Sequence, residues 1–120
     1  MPVILLKYRP SEVPDEVMQE LVAALPEIVS RALDIPNDPG KRLTTNDIQV
    51  WTLPEGKFDV NIKPLQMLIP LHAYSERIDD LELRKDIIAA DIHEILAAFG
   101  FDTGGFIWIL PSSDTAFGKF

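Results

Sequence analysis

Apolar and polar residues change their spacing several times along the chain, and each change predicts a different element. Residues Pro2–Tyr8 are mostly apolar and β-branched, which is typical of a strand. A polar turn follows, in which Ser11 is suited to cap a helix and Pro14 to stand in its first turn. Apolar residues then recur at helical spacing and predict a helix that runs to about Leu33; they are Val13, Val17, Leu21, Ala24, Leu25 and Ile28.

The segment after this helix returns the chain to an extended conformation. The loop "DIPNDPGKRLTTND" is rich in turn-forming residues, and "DIQVWTL" behind it predicts a second strand. A strand, a long helix and a second strand form a βαβ unit, whose crossover is right-handed in nearly all proteins.

The second half of the chain follows the same order of elements. Residues Leu65–Tyr74 predict the third strand, although the prolines in this region indicate an edge, a bulge or a break. A second helix follows, with Asp79 or Asp80 as its cap and Gly100 as its stop. Its apolar stripe comprises Leu81, Ile88, Ile92, Ile95 and Phe99. The segment "GGFIWIL" predicts the fourth strand.

These elements predict an α+β fold made of two consecutive β-α-β units. The repeat halves span about 2–56 and 57–111 of a single domain over 1–120, and 112–120 form a polar and aromatic tail. We expect a four-stranded sheet with both helices on one face. The other face would then expose apolar side chains, which usually marks an interface, so we expect a homo-oligomer.

Composition narrows the class of protein. The chain is 47% hydrophobic and 25% charged, as is usual for soluble globular proteins. A net charge of −8 with only 11 basic residues argues against nucleic acid as a partner. No apolar run approaches the roughly 18 residues of a membrane span, and the start has no secretory pattern. A cytoplasmic protein without membrane partners is the default expectation.

Pro2 is the first candidate for chemistry. If Met1 is removed, the ring nitrogen of Pro2 becomes a secondary amine at the start of a strand. Burial or a nearby cation lowers the pKa of an α-amino group from about 7.7–8.0, so that it can act as a base near neutral pH. The alternative is that Pro2 is an ordinary first residue of a strand, where proline is tolerated.

Four cations on loops at strand or helix ends are candidate anion-binding groups. They are Arg9, Lys41, Arg42 and Arg77. The alternative is a solvated charge or a local ion pair, with Glu12 for Arg9 and with Glu76 or Asp79 for Arg77.

Histidines and aromatic residues complete the candidates. We interpret His72 and His93 as structural, and we expect no metal, because no set of three ligands converges in the sequence pattern and Cys is absent. Aromatic residues near strand ends and in the tail, among them Tyr74, Trp108 and Phe117, favour packing in a core or an interface. The apolar character of "TAFGKF" indicates that the tail docks on a pocket or on a neighbouring subunit.

Taken together, these features resemble the tautomerase superfamily. That group includes 4-oxalocrotonate tautomerase (4-OT), 5-carboxymethyl-2-hydroxymuconate isomerase, malonate semialdehyde decarboxylase and macrophage migration inhibitory factor. The resemblance rests on Pro2 opening a strand and on the two βαβ units. Three segments add to it: "SRALDIP…DIQVWTLPEGKF" is similar to 4-OT, "SERIDDLELR" to the isomerases and decarboxylases, and "SSDTAFG" to the decarboxylase tail.

The resemblance implies a homotrimer with a catalytic amino-terminal proline and no cofactor. It implies that Pro2 is the base, that Arg77 binds the substrate carboxylate, and that Trp108 and Phe117 line the pocket. We add Tyr74, which follows the third strand, to the candidate substrate-binding residues. The sequence departs from the pattern at Gln49, where short tautomerases carry an arginine, and Lys41 or Arg42 would replace that charge.

The predicted function is therefore a cofactor-independent keto–enol tautomerase acting on a small 2-oxo or 2-hydroxy-alkenoic acid. Ser75 stands where the decarboxylases carry a second arginine, which lowers the expectation of decarboxylation. Asp38 is a candidate for the water-activating acid of the dehalogenase branch, although the alignment through its loop is open. A non-enzymatic binding protein on the same scaffold and an unrelated ferredoxin-like domain stay open as alternatives.

Overall fold

A computed structural model describes residues 2–101 and 104–113 of the chain. Its strands are β1 (Val3–Tyr8), β2 (Gln49–Pro54), β3 (Leu65–His72) and β4 (Phe106–Ser112). Its helices are α1 (Asp15–Leu33), the short α2 (Ser75–Ile78) and α3 (Leu81–Ala98), and 3₁₀ turns lie at Pro39–Lys41 and Thr45–Asp47. The order of elements confirms the predicted α+β fold of two β-α-β units.

The four strands form one mixed sheet in the order β2-β1-β3-β4. Strand β1 is parallel to β2 and β3 is parallel to β4, so each β-α-β unit contributes one parallel pair. The two units meet where β1 runs antiparallel to β3, with Leu5 opposite Leu68. The amino end of β1 and the carboxyl ends of β3 and β4 therefore lie at the same end of the sheet.

One face of the sheet packs against both long helices. Alternate residues of β1 and β3 point into this core, because side chains of a strand alternate between its faces. Helices α1 and α3 contact each other above them, and α1 buries its predicted stripe. The core includes Ile4, Leu6, Val17, Leu21, Leu25, Met67, Ile69 and Ile88.

Some element boundaries differ from the predicted ones. Helix α1 begins at Asp15 with Pro14 at the N-cap position, so Ser11 is not its cap. Strand β3 ends at His72 rather than Tyr74, because the chain turns there and Tyr74 becomes the N-cap residue of α2.

Helix α3 ends as predicted, and Ile88, Ile92 and Ile95 of its predicted stripe pack against the core. Gly100 has φ 69°, a left-handed conformation that suits the residue following a helix. Phe101 then donates its N–H to the carbonyl oxygen of Leu96. Phe99, predicted to belong to the buried stripe, is 44% exposed, whereas Leu96 is buried.

The other face of the sheet is apolar and uncovered in the single chain. Its exposed large side chains are Trp51, Leu53, Phe106, Trp108 and Leu110, which we call the open face. Patches of this kind mark sites of association. Within the described part of the chain, no helix combines the length and the apolarity needed to cross a membrane.

Candidate active site

The candidate site is a cleft at the end of the sheet where β1 begins. Its volume is about 620 Å³. The strands place Pro2 beside the carboxyl ends of β3 and β4, and the loop after α1 and the start of α2 close the cleft. The polar side chains in its lining include Lys41, Arg42, His72, Tyr74 and Arg77. The structure thus brings five of the eight predicted site residues together with His72: Pro2, Lys41, Arg42, Tyr74 and Arg77.

Pro2 is buried, and the sheet fixes its position. Its carbonyl oxygen accepts a hydrogen bond from the backbone N–H of Gln49 at 3.2 Å, which ties the first described residue to β2. Apolar side chains surround it in the cleft, among them Val3, Leu71 and Leu110. An amine held here would be partly desolvated, which disfavours its charged form and lowers its pKa.

Arg77 lies at the bottom of the cleft and is only 3% exposed. Its Nε donates to the carbonyl oxygen of Leu33 at 2.9 Å, and its Nη1 donates to that of His72 at 3.1 Å. Leu33 is the last residue of α1, so Arg77 places a cation at the negative end of the helix dipole. Burial, with repulsion from Arg84, lowers the pKa of Arg77, but an arginine stays charged.

The ring of Tyr74 stacks with both neighbouring cations. Lys41 Nζ lies 4.8 Å from the ring centroid, and Arg77 Cζ lies 5.3 Å from it. The ring of His72 contacts the same tyrosine, at 4.4 Å between centroids and 58° between planes. These distances are typical of cation–π and tilted aromatic contacts, so Tyr74 orders the side chains on this wall.

Lys41 is tied to carboxylates beside the cleft. Its Nζ lies 2.8 Å from Glu76 Oε1 and 3.3 Å from Asp38 Oδ2. The hydrogen bond to Glu76 raises the pKa of Lys41 and lowers the pKa of Glu76. Asp38 also caps the 3₁₀ turn that carries Lys41 by accepting the N–H of Gly40 at 3.0 Å, a role unrelated to water activation.

Arg42 is bound in the same loop by a two-oxygen contact. Its Nε lies 3.0 Å from both carboxylate oxygens of Asp34, and Asp34 also accepts the backbone N–H of Leu43 at 2.8 Å. Burial alone would raise the pKa of Asp34. The bonds from Leu43 and Arg42 outweigh it and hold that pKa below its ordinary value.

Arg9 lies outside this site, contrary to the prediction. It follows β1 at the opposite end of the sheet, roughly 20 Å from Pro2 at about 3.3 Å per strand residue. Its Nε lies 3.0 Å from Glu55 Oε2 and 3.3 Å from Glu12 Oε2. The local ion pair with Glu12 is therefore present.

Trp108 is the second predicted site residue that the structure places elsewhere. It lies on the open face, 49% exposed, and stacks with Phe106 at 6.1 Å between ring centroids. Strand alternation sets this direction, because Ile107 and Ile109 point towards the core. Phe117 lies outside the described residues.

The prediction overlooked two residues that support the cleft, Asp34 and Arg84. Arg84 Nη1 donates to the carbonyl oxygens of Ala32 and Asp34, at 3.1 and 2.8 Å. Arg84 and Arg77 together donate hydrogen bonds to the backbone carbonyls at the end of α1, which have no partners within the helix. A basic residue 50 positions away gives no local signal of this contact. In the described ranges, no three His, Cys, Asp or Glu side chains are placed to share a metal ion.

Comparison with known proteins identifies the fold. No family model matches the chain, and no curated protein is significantly similar to it in sequence. A 5-carboxymethyl-2-hydroxymuconate delta-isomerase structure matches 100% of the chain and 88% of its own, with a TM-score of 0.69 and 15% identity. A fused 4-OT asymmetric trimer matches 98% of the chain and 91% of its own, with a TM-score of 0.61 and 17% identity.

A third similar structure comes from another branch of the resemblance. A macrophage migration inhibitory factor-like protein from Entamoeba histolytica matches 99% of the chain and 95% of its own, with a TM-score of 0.63 and 13% identity. These neighbours belong to the tautomerase superfamily, and the chain has their fold. At such identities the likeness establishes the fold, and the chemistry has to be argued from the cleft.

Proposed function

We propose that this protein is a cofactor-independent keto–enol tautomerase that acts on small 2-oxo or 2-hydroxy-alkenoic acids. The observation that carries the proposal is the position of Pro2, buried in a cleft with Arg77 and Tyr74. The isomerase and 4-OT structures with the same fold support this class of reaction.

The proposed reaction moves one proton and needs no other reactant. After removal of Met1, the neutral amine of Pro2 takes the proton of the 2-hydroxyl group of an enol acid. The resulting ammonium returns a proton to carbon, the carbon–carbon double bond shifts, and the carbonyl forms. Arg77 would hold the substrate carboxylate, because a guanidinium binds a carboxylate through two parallel bonds. Burial and the nearby cation lower the pKa of the amine towards neutrality, where a general base is most effective.

We further propose that the chain forms a homotrimer through the open face. A monomer would expose the side chains of Trp51 and Trp108, at 53% and 49%, together with their apolar neighbours. The fused 4-OT structure, which shares the fold, is a trimer, and this favours three-fold assembly over a dimer.

A ligand-binding protein without catalysis is the second candidate. The observation in its favour is that Arg77 already donates to two backbone carbonyls, while Lys41 and Arg42 are paired with carboxylates. Such a cleft would bind a small acid, and Pro2 would be a wall residue. This candidate predicts no proton transfer.

Replacement of Pro2 by alanine tests the proposal. In Pro2→Ala the rate of ketonisation of phenylenolpyruvate or a 2-hydroxydienoate should fall by about 10²–10⁴-fold, the usual contribution of a general base. Pro10→Ala, in the exposed turn after β1, is the matched control and should keep the activity. Both variants should keep the assembly state of the parent.

Two outcomes would refute the catalytic role of Pro2. One is full activity in Pro2→Ala. The other is an intact mass that retains Met1 in an active preparation, because the nitrogen of Pro2 is then an amide. Titration of the terminal amine by NMR tests the enzymatic candidate further, because it requires a pKa below the ordinary value of about 7.7–8.0.

A further inference from the structure

The cations of the cleft differ in whether the protein itself neutralises them. Lys41 contacts Glu76 and Asp38, and Arg42 contacts both oxygens of Asp34. Among the described residues of the lining, the one carboxylate is that of Asp47, which accepts the N–H and the hydroxyl of Thr44, at 2.7 and 3.1 Å. The loop after α1 carries Lys41 and Arg42 against Asp34, Asp38 and Asp47, so it adds no net positive charge to the cleft.

Arg77 is the exception among these cations. Within residues 2–101 and 104–113, no carboxylate lies at ion-pairing distance from its guanidinium. Its bonds to Leu33 and His72 use two of the five N–H donors of an arginine. Both bonds end on neutral carbonyl oxygens, so the positive charge of Arg77 is not cancelled by a partner.

We infer that the cleft accepts a single carboxylate, at Arg77, and discriminates against a second one. This inference rests on the proposed function and specifies its substrates as monocarboxylic 2-oxo or 2-hydroxy-alkenoic acids with an apolar remainder. The apolar walls formed by Val3, Leu43, Pro70, Leu71 and Leu110 match such a remainder.

A second carboxylate would have to compete with the protein's own ion pairs. To reach Arg42 it must displace Asp34, which also holds the N–H of Leu43 at 2.8 Å. To reach Lys41 it must displace Glu76, at 2.8 Å, from a cation that also contacts Asp38. An unpaired carboxylate that loses water in the cleft is destabilised, and the loss of one charge-assisted bond corresponds to about a tenfold change in affinity.

The test uses two substrates that differ by one carboxylate. Ketonisation of 2-hydroxy-2,4-pentadienoate and of 2-hydroxymuconate is followed by absorbance, with each rate divided by the buffer-catalysed rate. We expect kcat/KM for the monocarboxylate to exceed that for the dicarboxylate by about tenfold or more. An equal or greater efficiency with the dicarboxylate would overturn the inference.

Variants that release the neutralised cations should weaken the preference. Asp34→Asn frees Arg42 and keeps an oxygen for the N–H of Leu43, and Glu76→Gln frees Lys41 from its nearer partner. In each, the ratio of the two efficiencies should shift towards the dicarboxylate by about threefold or more. Glu55→Gln is the matched control, because it breaks a carboxylate–arginine pair of the same 3.0 Å length at the far end of β1.

A binding measurement makes the inference independent of turnover. Titration calorimetry compares 2-oxopentanoate with 2-oxoglutarate, which have the same chain length, and should give tighter binding of the monocarboxylate. If both enol acids turn over through Pro2 but the dicarboxylate binds as tightly, the inference fails and the proposed function stands. If neither enol acid turns over and 2-oxopentanoate still binds selectively, the enzymatic proposal fails and the charge argument stands. Absence of binding by both keto acids at millimolar concentration would refute the cleft as the anion site.

Discussion

Replacement of Arg77 separates its structural role from its proposed role in binding. The side chain is 3% exposed and donates to the carbonyl oxygens of Leu33 and His72. In Arg77→Met each carbonyl loses a charged donor, a bond that contributes about 1.5–3 kcal/mol. The variant no longer buries a guanidinium, and this offsets part of the loss. We therefore expect the free energy of unfolding to fall by about 2–4 kcal/mol.

Two further variants divide this effect into its parts. Arg77→Lys keeps the charge and reaches one carbonyl, so it should recover part of the stability, while the loss of the planar fork raises KM about tenfold. Arg84→Met is the matched control, because Arg84 also donates to carbonyls at the end of α1 but is absent from the lining of the cleft. Its stability should fall by about 1–3 kcal/mol, with kcat/KM within about twofold of the parent.

The measurements are urea unfolding at pH 7 and at equal protomer concentration, and ketonisation kinetics of a monocarboxylic enol acid where each variant is folded. Equal concentration is needed because association stabilises the folded chain. Stability of Arg77→Met within about 0.5 kcal/mol of the parent would refute the capping argument. An unchanged kcat/KM in the folded variant would refute the binding role.

Two other predictions concern the cleft loop and the open face. The lowered pKa of Asp34 stabilises the folded chain above the pKa of an unfolded aspartate, about 3.9, and this contribution is lost as the pH falls through the folded pKa. Asp34→Asn should therefore lose about 1 kcal/mol at pH 7 and a smaller amount at pH 3, as measured by urea unfolding; an equal loss at both would contradict the charge argument. Trp108→Glu should convert the proposed trimer into monomers by light scattering, whereas Leu83→Glu, on the exposed side of α3, should not. A trimer that persists in Trp108→Glu would show that another surface holds the subunits together.

The fold was predictable because burial imposes a period on the sequence. Ile4 and Leu6 alternate with half-buried neighbours in β1, and Val17, Leu21 and Leu25 follow the helical spacing of α1. The stripe of α3 was harder to predict. This helix carries apolar residues on more than one side, and Leu83 and Ile87 stay exposed at 59% and 42%. The pattern thus identifies Ile88, Ile92 and Ile95 on the buried side but not its end, where Leu96 is buried and Phe99 is exposed.

The site was predictable in position but not in its bonds. Lys41 and Arg42 lie in the loop after α1, and Arg77 lies in α2, which follows β3. Both segments border the end of the sheet where β1 begins, so the topology brings the three cations together. Their partners are distant in sequence: Lys41 pairs with Glu76 across 35 positions, and Arg77 bonds to Leu33 across 44. Local spacing instead suggested that Glu76 or Asp79 pairs with Arg77. In the structure, Glu76 pairs with Lys41.

No arginine stands in β2, and a cation elsewhere replaces its charge only if it lies in the cleft and is not neutralised by a carboxylate of the protein. Gln49 stands at that place, and its side-chain oxygen accepts the indole N–H of Trp51 at 3.1 Å. Lys41 and Arg42 reach the cleft from the loop that precedes β2, as a replacement of the charge requires, but their carboxylate partners cancel it. Among the described cations of the lining, Arg77 would then be the one left to lower the pKa of an amine at Pro2, in addition to burial. A substrate that binds Arg77 removes even that cation's effect, so the bound acid itself would raise the basicity of Pro2 at the moment of proton transfer.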